Sequence, residues 1–119
     1  MIDSGSVIVA LAALAQEHRL AAFRLLVEAG PDGMPAGQIA DQLDIAASSL
    51  SFHLSQLERS NLVVRRRAGR SLIYSAHFDA MNALVGYLTD NCCGGAACAP
   101  ASTPADAPAI SPSPERNAA

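Results

Sequence analysis

At 119 residues, half of them apolar, the chain can build one modest core but not two. No stretch approaches the roughly 20 apolar residues of a membrane span, and the apolar run from Val7 to Ala15 lacks the basic flank and cleavage context of a signal peptide. A soluble, cytoplasmic chain with no membrane partner is therefore expected, and its net charge of −3 argues at first against a nucleic-acid ligand.

Val7, Leu11 and Leu14 recur at helical spacing, and Leu20, Phe23, Leu26 and Val27 repeat the pattern in a second helix. Gly30-Pro31-Asp32-Gly33 stops that helix, and Pro35 sits where a first-turn proline opens a short third helix carrying Ile39, Ala40 and Leu43. After a turn at Asp44-Ile45-Ala46, Leu50, Leu54 and Leu57 mark the buried stripe of a fourth helix. It is expected to end near Ser60-Asn61, where Asn tolerates the left-handed cap conformation. Leu62-Val63-Val64 and Leu72-Ile73-Tyr74 read as two strands joined tightly at Ala68-Gly69-Arg70. A last helix, expected to run from Phe78 to Asn91, carries Phe78, Met81, Leu84, Val85 and Leu88 on one stripe.

The result is a mainly α chain with one β-hairpin: four helices, the hairpin and a fifth helix. A short helix, a turn, a second helix and a basic hairpin is the winged helix-turn-helix arrangement. Three segments are expected: residues 1–91 as the folded domain, 92–98 as a cysteine segment, and 99–119 as a disordered tail. That tail has five prolines and a single strong apolar residue, Ile110.

The charge is unevenly placed. Residues 34–77 hold five arginines and three acids, while the flanking thirds are both acidic, and Lys is absent. Arg59, Arg65, Arg66, Arg67 and Arg70 supply the local positive field that phosphate contact requires. On the fourth helix, 100° per residue places Ser48, Phe52, Ser55 and Arg59 opposite the leucine stripe, with Ser49, Ser51 and Gln56 on the flanks. Short hydroxyls and one amide permit close approach to base edges in a major groove, although a serine-rich face can also be merely solvated. The hairpin weights the choice toward nucleic acid, because Arg66, Arg67 and Arg70 suit a wing lying along phosphates. His53 lies nearer the buried flank, where packing or a phosphate contact is expected.

Leu14-Ala15-Gln16-Glu17-His18-Arg19-Leu20, Ile39-Ala40-Asp41-Gln42-Leu43, Ser51-Phe52-His53-Leu54-Ser55-Gln56-Leu57, Asn61-Leu62-Val63 and Gly69-Arg70-Ser71-Leu72-Ile73-Tyr74 resemble the successive signatures of the ArsR family of bacterial metalloregulatory repressors. The resemblance covers residues from about 10 to 90. It implies a homodimer held by the first and last helices, through Val7, Leu11 and Leu14 on one and Met81, Leu84, Val85 and Leu88 on the other. It further implies that paired recognition helices enter two half-sites of double-stranded operator DNA, and that a metal or metalloid ends repression.

Two usual sensor positions are empty of ligands here: no cysteine lies between Pro35 and Leu43, and no histidine between Phe78 and Asp90. The chain's three cysteines, Cys92, Cys93 and Cys98, instead resemble the C-terminal Cys-Cys plus Cys of a smaller set of arsenic sensors. Three thiolates without a nearby fourth ligand suit As(III) or Sb(III) as inducer, whereas structural zinc normally takes four. A thiol redox switch, a zinc or cadmium sensor, and a ligand-free tail are the competing readings of the same cluster. No organic cofactor and no enzymatic activity are expected, since no cysteine sits beside a histidine and an acid and no phosphate-cradling glycine motif occurs.

Overall fold

The computed structural model describes residues 2–95; Cys98 and the segment 99–119 lie outside the described residues. The chain divides into two units, residues 1–88 and 89–119. The first contains α1 (Ser4–Leu14), α2 (Glu17–Ala29), β1 (Met34–Pro35), α3 (Ala36–Leu43), α4 (Ala47–Arg59), β2 (Val63–Ala68), β3 (Ser71–Ala76) and α5 (Phe78–Leu88).

Local chemistry sets the helix ends. The Asp3 carboxylate accepts from the N–H groups of Gly5 and Ser6 at 3.1 and 3.4 Å, capping α1. Donation from the Ser6 hydroxyl, then from backbone N–H groups, holds that carboxyl below the usual range. Gln16 caps α2 by accepting from the Arg19 N–H at 3.0 Å, and Gly30, at φ 81°, ends it. Asp44 takes the left-handed conformation at the turn into α4, and Asn61 takes it just beyond the end of α4, as its residue type suggests.

The expected two-stranded hairpin is a three-stranded antiparallel sheet in the order β1-β3-β2. Met34 pairs with Tyr74 and Pro35 with Ile73, so Pro35 closes an edge strand and precedes α3 instead of occupying its first turn. An edge position tolerates a residue with no N–H to donate. Gly33 makes this pairing possible: a Cβ there would collide with the Tyr74 carbonyl oxygen, and its φ is +71°. The β2–β3 register, from Val63↔Ala76 to Ala68↔Ser71, leaves Gly69 and Arg70 as a two-residue turn, with Gly69 at φ 66°.

The core is built by Ala22, Phe23 and Leu26 of α2, Ile39 of α3, Leu50, Leu54 and Leu57 of α4, and Leu62 and Val63 entering the sheet. Val7 and Ala10 of α1 and Leu84 of α5 join it. Truncating Leu54 or Leu57, both 1% exposed or less, to Ala is expected to cost about 2–5 kcal/mol. Helix α5 ends at Leu88, three residues short of the expected Asn91.

Candidate nucleic-acid interface and cysteine segment

Burying Leu50, Leu54 and Leu57 fixes what α4 presents outward. Ser48, Ser49, Ser51, Phe52 and Arg59 are exposed, while His53, Ser55 and Gln56 are half-buried. Gln56 departs from the flanking role expected of it: with Val9, Ala12, Ala13 and Arg19 it lines a cleft of about 290 Å³ against α1. The outward surface is thus a run of short hydroxyls around one aromatic ring.

His53 lies on the buried flank, as its position on the helix suggests, and is held there. Arg19 Nη1 donates to His53 Nδ1 at 3.3 Å, so that nitrogen accepts and carries no proton in this arrangement. The same guanidinium donates from Nε to the carbonyl of Ala13 at 2.7 Å, near the end of α1. One arginine thereby connects the α1 terminus, α2 and α4. Burial first, and then the charges of Arg19 and His18, push the His53 pKa below the ordinary imidazole value. The His18 ring stands 5.6 Å from that of His53, and Phe52 meets His53 edge-on at 5.7 Å. Sequence spacing gave no sign of this junction, because Arg19 and His53 are 34 positions apart.

On the hairpin all four arginines are exposed, but they are not equivalent. Arg65 pairs with Glu58 of α4 at 3.3 Å, and Arg66 donates from Nη2 to the Asp32 carbonyl at 2.8 Å. Arg67 and Arg70 stand at the end of the wing, where guanidiniums can track a phosphate backbone. His77, one residue past β3, donates from its ring to the Asn61 carbonyl at 3.0 Å.

The residues assigned to dimerisation divide into two groups. Val7 and Leu84, 4% and 6% exposed, belong to the chain's own core, so they cannot present a surface to a partner. Leu14 and Met81 are half-buried, packed against that core. Leu11, Val85 and Leu88 are exposed, and with them Ile8, Val9 and Tyr87, which stripe counting missed. A helix packed on one side against its own chain offers a partner the face one or two positions away from its buried stripe.

In the second unit, the N–H of Cys92 donates to the Thr89 carbonyl and that of Gly94 to the Asn91 carbonyl, both at 2.9 Å. These tight turns put Asn91 and Cys93 at φ 56° and 58°, in the left-handed region. Both cysteines are exposed, with Sγ atoms 3.7 Å apart. Exposed sulfurs this close together can reach one soft ion. Among the described residues no group of three Cys, His, Asp or Glu side chains forms a site, and Cys98 lies outside them.

Residues 14–66 match a helix-turn-helix domain family. The nodulation protein NolR of Rhizobium meliloti is 36% identical over 80 residues, and the match spans 67% of this chain and 63% of that protein's length. The crystal structure of NolR from Sinorhizobium fredii is similar at 32% identity with a TM-score of 0.59, covering 79% of this chain and 89% of that one. An ArsR-like transcriptional regulator from Rhodococcus sp. RHA1 superposes with a TM-score of 0.63 at 25% identity, over 71% of this chain and 76% of that one. The homodimeric winged helix-turn-helix DNA-binding domain of Mb0332 from Mycobacterium bovis does so with a TM-score of 0.59 at 25% identity, over 79% and 87%. Among the described residues no single helix is long and apolar enough to cross a membrane. Element order, the three-stranded sheet and these likenesses agree: the chain belongs to the ArsR-like family of winged helix-turn-helix transcriptional regulators.

Proposed function

We propose that this regulator is a homodimeric repressor that holds double-stranded operator DNA through α4 and the wing, and that it is released when As(III) or Sb(III) is bound by Cys92, Cys93 and Cys98. The observation that carries the metalloid part is the exposed sulfur pair, 3.7 Å apart, in the residues that follow α5 in the chain. Cys98 supplies the third thiolate in this reading, completing a pyramidal sulfur site that a trivalent, thiophilic ion prefers. The dimer part rests on the exposed apolar residues Ile8 and Leu11 of α1 and Val85 and Leu88 of α5, which a second copy would take out of water. Contact with DNA rests on the small outer face of α4 and the exposed arginines of the wing. A cytoplasmic location follows from that reading, since the operator and the reducing milieu that keeps thiolates available are both there.

Ligand and operator are coupled in this scheme because the cysteines continue the chain of a dimer helix. Differential affinity of a few kcal/mol between the bound and released arrangements is enough to empty the operator. The test uses the full chain, reduced, on a labelled operator. Ending the chain after Ala99 should leave both DNA binding and As(III)-induced release intact. Ending it after Ala97, or changing Cys98→Ser, should preserve DNA binding and abolish release. Normal release of Cys98→Ser by As(III) would remove the three-thiolate site. Release of the wild type by oxidant but not As(III) would make the switch a disulfide, and release by zinc or cadmium alone would reassign the ion.

A further inference from the structure

We propose that Phe52 is the side chain by which α4 selects thymine, its exposed ring seating against the 5-methyl group of a thymine in the major groove of the operator. The inference rests on the reading of α4 as the DNA-contacting helix and deepens it by naming the base. Phe52 is 57% exposed. The other large exposed apolar residues lie elsewhere: Ile8, Val9 and Leu11 on α1, Leu20 on α2, Val64 on β2, and Val85, Tyr87 and Leu88 on α5. Phe52 is therefore the one large apolar residue that the outer face of α4 presents, among Ser48, Ser51 and Ser55.

Those serines are short, so the ring projects farther from the helix axis than any hydroxyl beside it. It is also braced. His53 meets it edge-on at 5.7 Å with rings inclined by 64°, and His53 is itself fixed by donation from Arg19 at 3.3 Å. A ring held along one edge by a fixed neighbour has less rotamer freedom to lose on binding.

Chemistry selects the occupant. In the major groove adenine, guanine and cytosine present donors and acceptors that a phenyl ring would cover without satisfying, whereas thymine presents a methyl group beside its single acceptor. Covering that methyl removes apolar surface of both partners from water. The arginines Arg67 and Arg70 on the adjoining hairpin supply the attraction that brings the duplex to this face, and they carry no base preference of their own.

The experiment begins by enriching random-sequence duplexes on the full-length wild-type chain to obtain its preferred operator. Each thymine is then replaced singly by deoxyuridine, which lacks only the 5-methyl group, and binding is measured for wild type, Phe52→Leu and Phe52→Ala. One thymine per half-site should prove sensitive, its replacement weakening wild type about fourfold, the factor that burial of one methyl-sized group supplies, and about 16-fold when both half-sites are changed. Phe52→Ala should lose a similar factor on the thymine operator and become indifferent to deoxyuridine at that position; Phe52→Leu should keep part of the sensitivity. Because Phe52 is exposed, all three proteins should melt alike. A sequence-selective wild type in which no thymine couples to Phe52 overturns the proposal while leaving α4 as the reader. Failure to enrich any preferred sequence overturns the proposal together with the reading of α4 on which it rests.

Discussion

Helix α4 turns outward three exposed serines, a phenyl ring and one arginine, Arg59, whereas the hairpin carries Arg65, Arg66, Arg67 and Arg70 within a single turn and its flanking strands. The two surfaces adjoin in the fold, and in the proposed DNA complex steric access and apolar contact fall to the helix while charge falls to the wing. The division is uneven inside the wing as well. Arg65 and Arg66 are engaged by Glu58 and by the Asp32 carbonyl, which fastens the hairpin to α4 and to the β1 turn. Two of the four cations thus position the wing, and the positive field at its end comes from Arg67 and Arg70.

That division has force only if two copies present it to two half-sites. Charge placed in α1 or α5 tests this with the largest expected effect, and the structure separates two outcomes that sequence alone would merge. Leu84→Asp buries a carboxylate in the chain's own core, where Leu84 is 6% exposed, and is expected to cost several kcal/mol and unfold the protein. Leu11→Asp, at a residue 42% exposed, should leave each chain folded and melting cooperatively but monomeric by light scattering, with operator affinity lost by orders of magnitude. A folded dimer of Leu11→Asp would place the interface elsewhere.

The wing itself comes next. Arg67→Ala combined with Arg70→Ala should weaken binding to every duplex about tenfold to a hundredfold at low salt, and should flatten the dependence of log K on log salt by about 0.9 for each lost phosphate contact. Arg65→Ala should act more weakly and by another route. It breaks a partly exposed pair worth about 0.2–1 kcal/mol, and Glu58→Gln should reproduce most of its effect. A double-mutant cycle between the two in DNA affinity should show coupling, while a cycle between Arg65 and Arg70 should not. If Arg65→Ala lowers the salt slope as much as Arg70→Ala does, Arg65 contacts phosphate and the division within the wing fails.

Helical periodicity made the body of the fold legible. The stripes at Leu50, Leu54, Leu57 and at Phe23, Leu26 are core, and Gly30, Asn61 and Gly69 stand where the chain turns. Strand β1 was not legible, because two residues carry no period and Pro35 reads equally as a helix opener; only Gly33 against the Tyr74 carbonyl decides it. On α4, Ser48, Phe52 and Arg59 are exposed as their spacing suggests, whereas Ser55 is half-buried and Gln56 lines the cleft against α1 beside Arg19. The stripe assigned to dimerisation mixes two kinds of residue for a physical reason. Apolar spacing identifies what is buried without saying by which chain, so Val7 and Leu84 were counted together with Leu11, Val85 and Leu88.

The smallest expected effect concerns the junction behind the reader face. Arg19 donates to His53 Nδ1 only while that nitrogen is unprotonated, and burial together with the charges of Arg19 and His18 lowers the folded pKa of His53. The unfolded chain takes up its proton near the free value of about 6.5, before the folded chain does. Above that pH the neutral ring contributes its full stabilisation. As pH falls below it, through the lowered folded value, the unfolded state binds more protons and stability is lost. The charges that face His53, those of Arg19 and His18, both lie on α2 and both disfavour the protonated ring. The melting temperature of the wild type should therefore fall more between pH 7 and pH 5 than that of His53→Gln, which keeps an acceptor for Arg19 and does not titrate. The difference should stay below the 4–8 °C that about 1 kcal/mol produces in a domain of this size. Parallel decline of the two proteins would mean that groups other than His53 set the acid sensitivity.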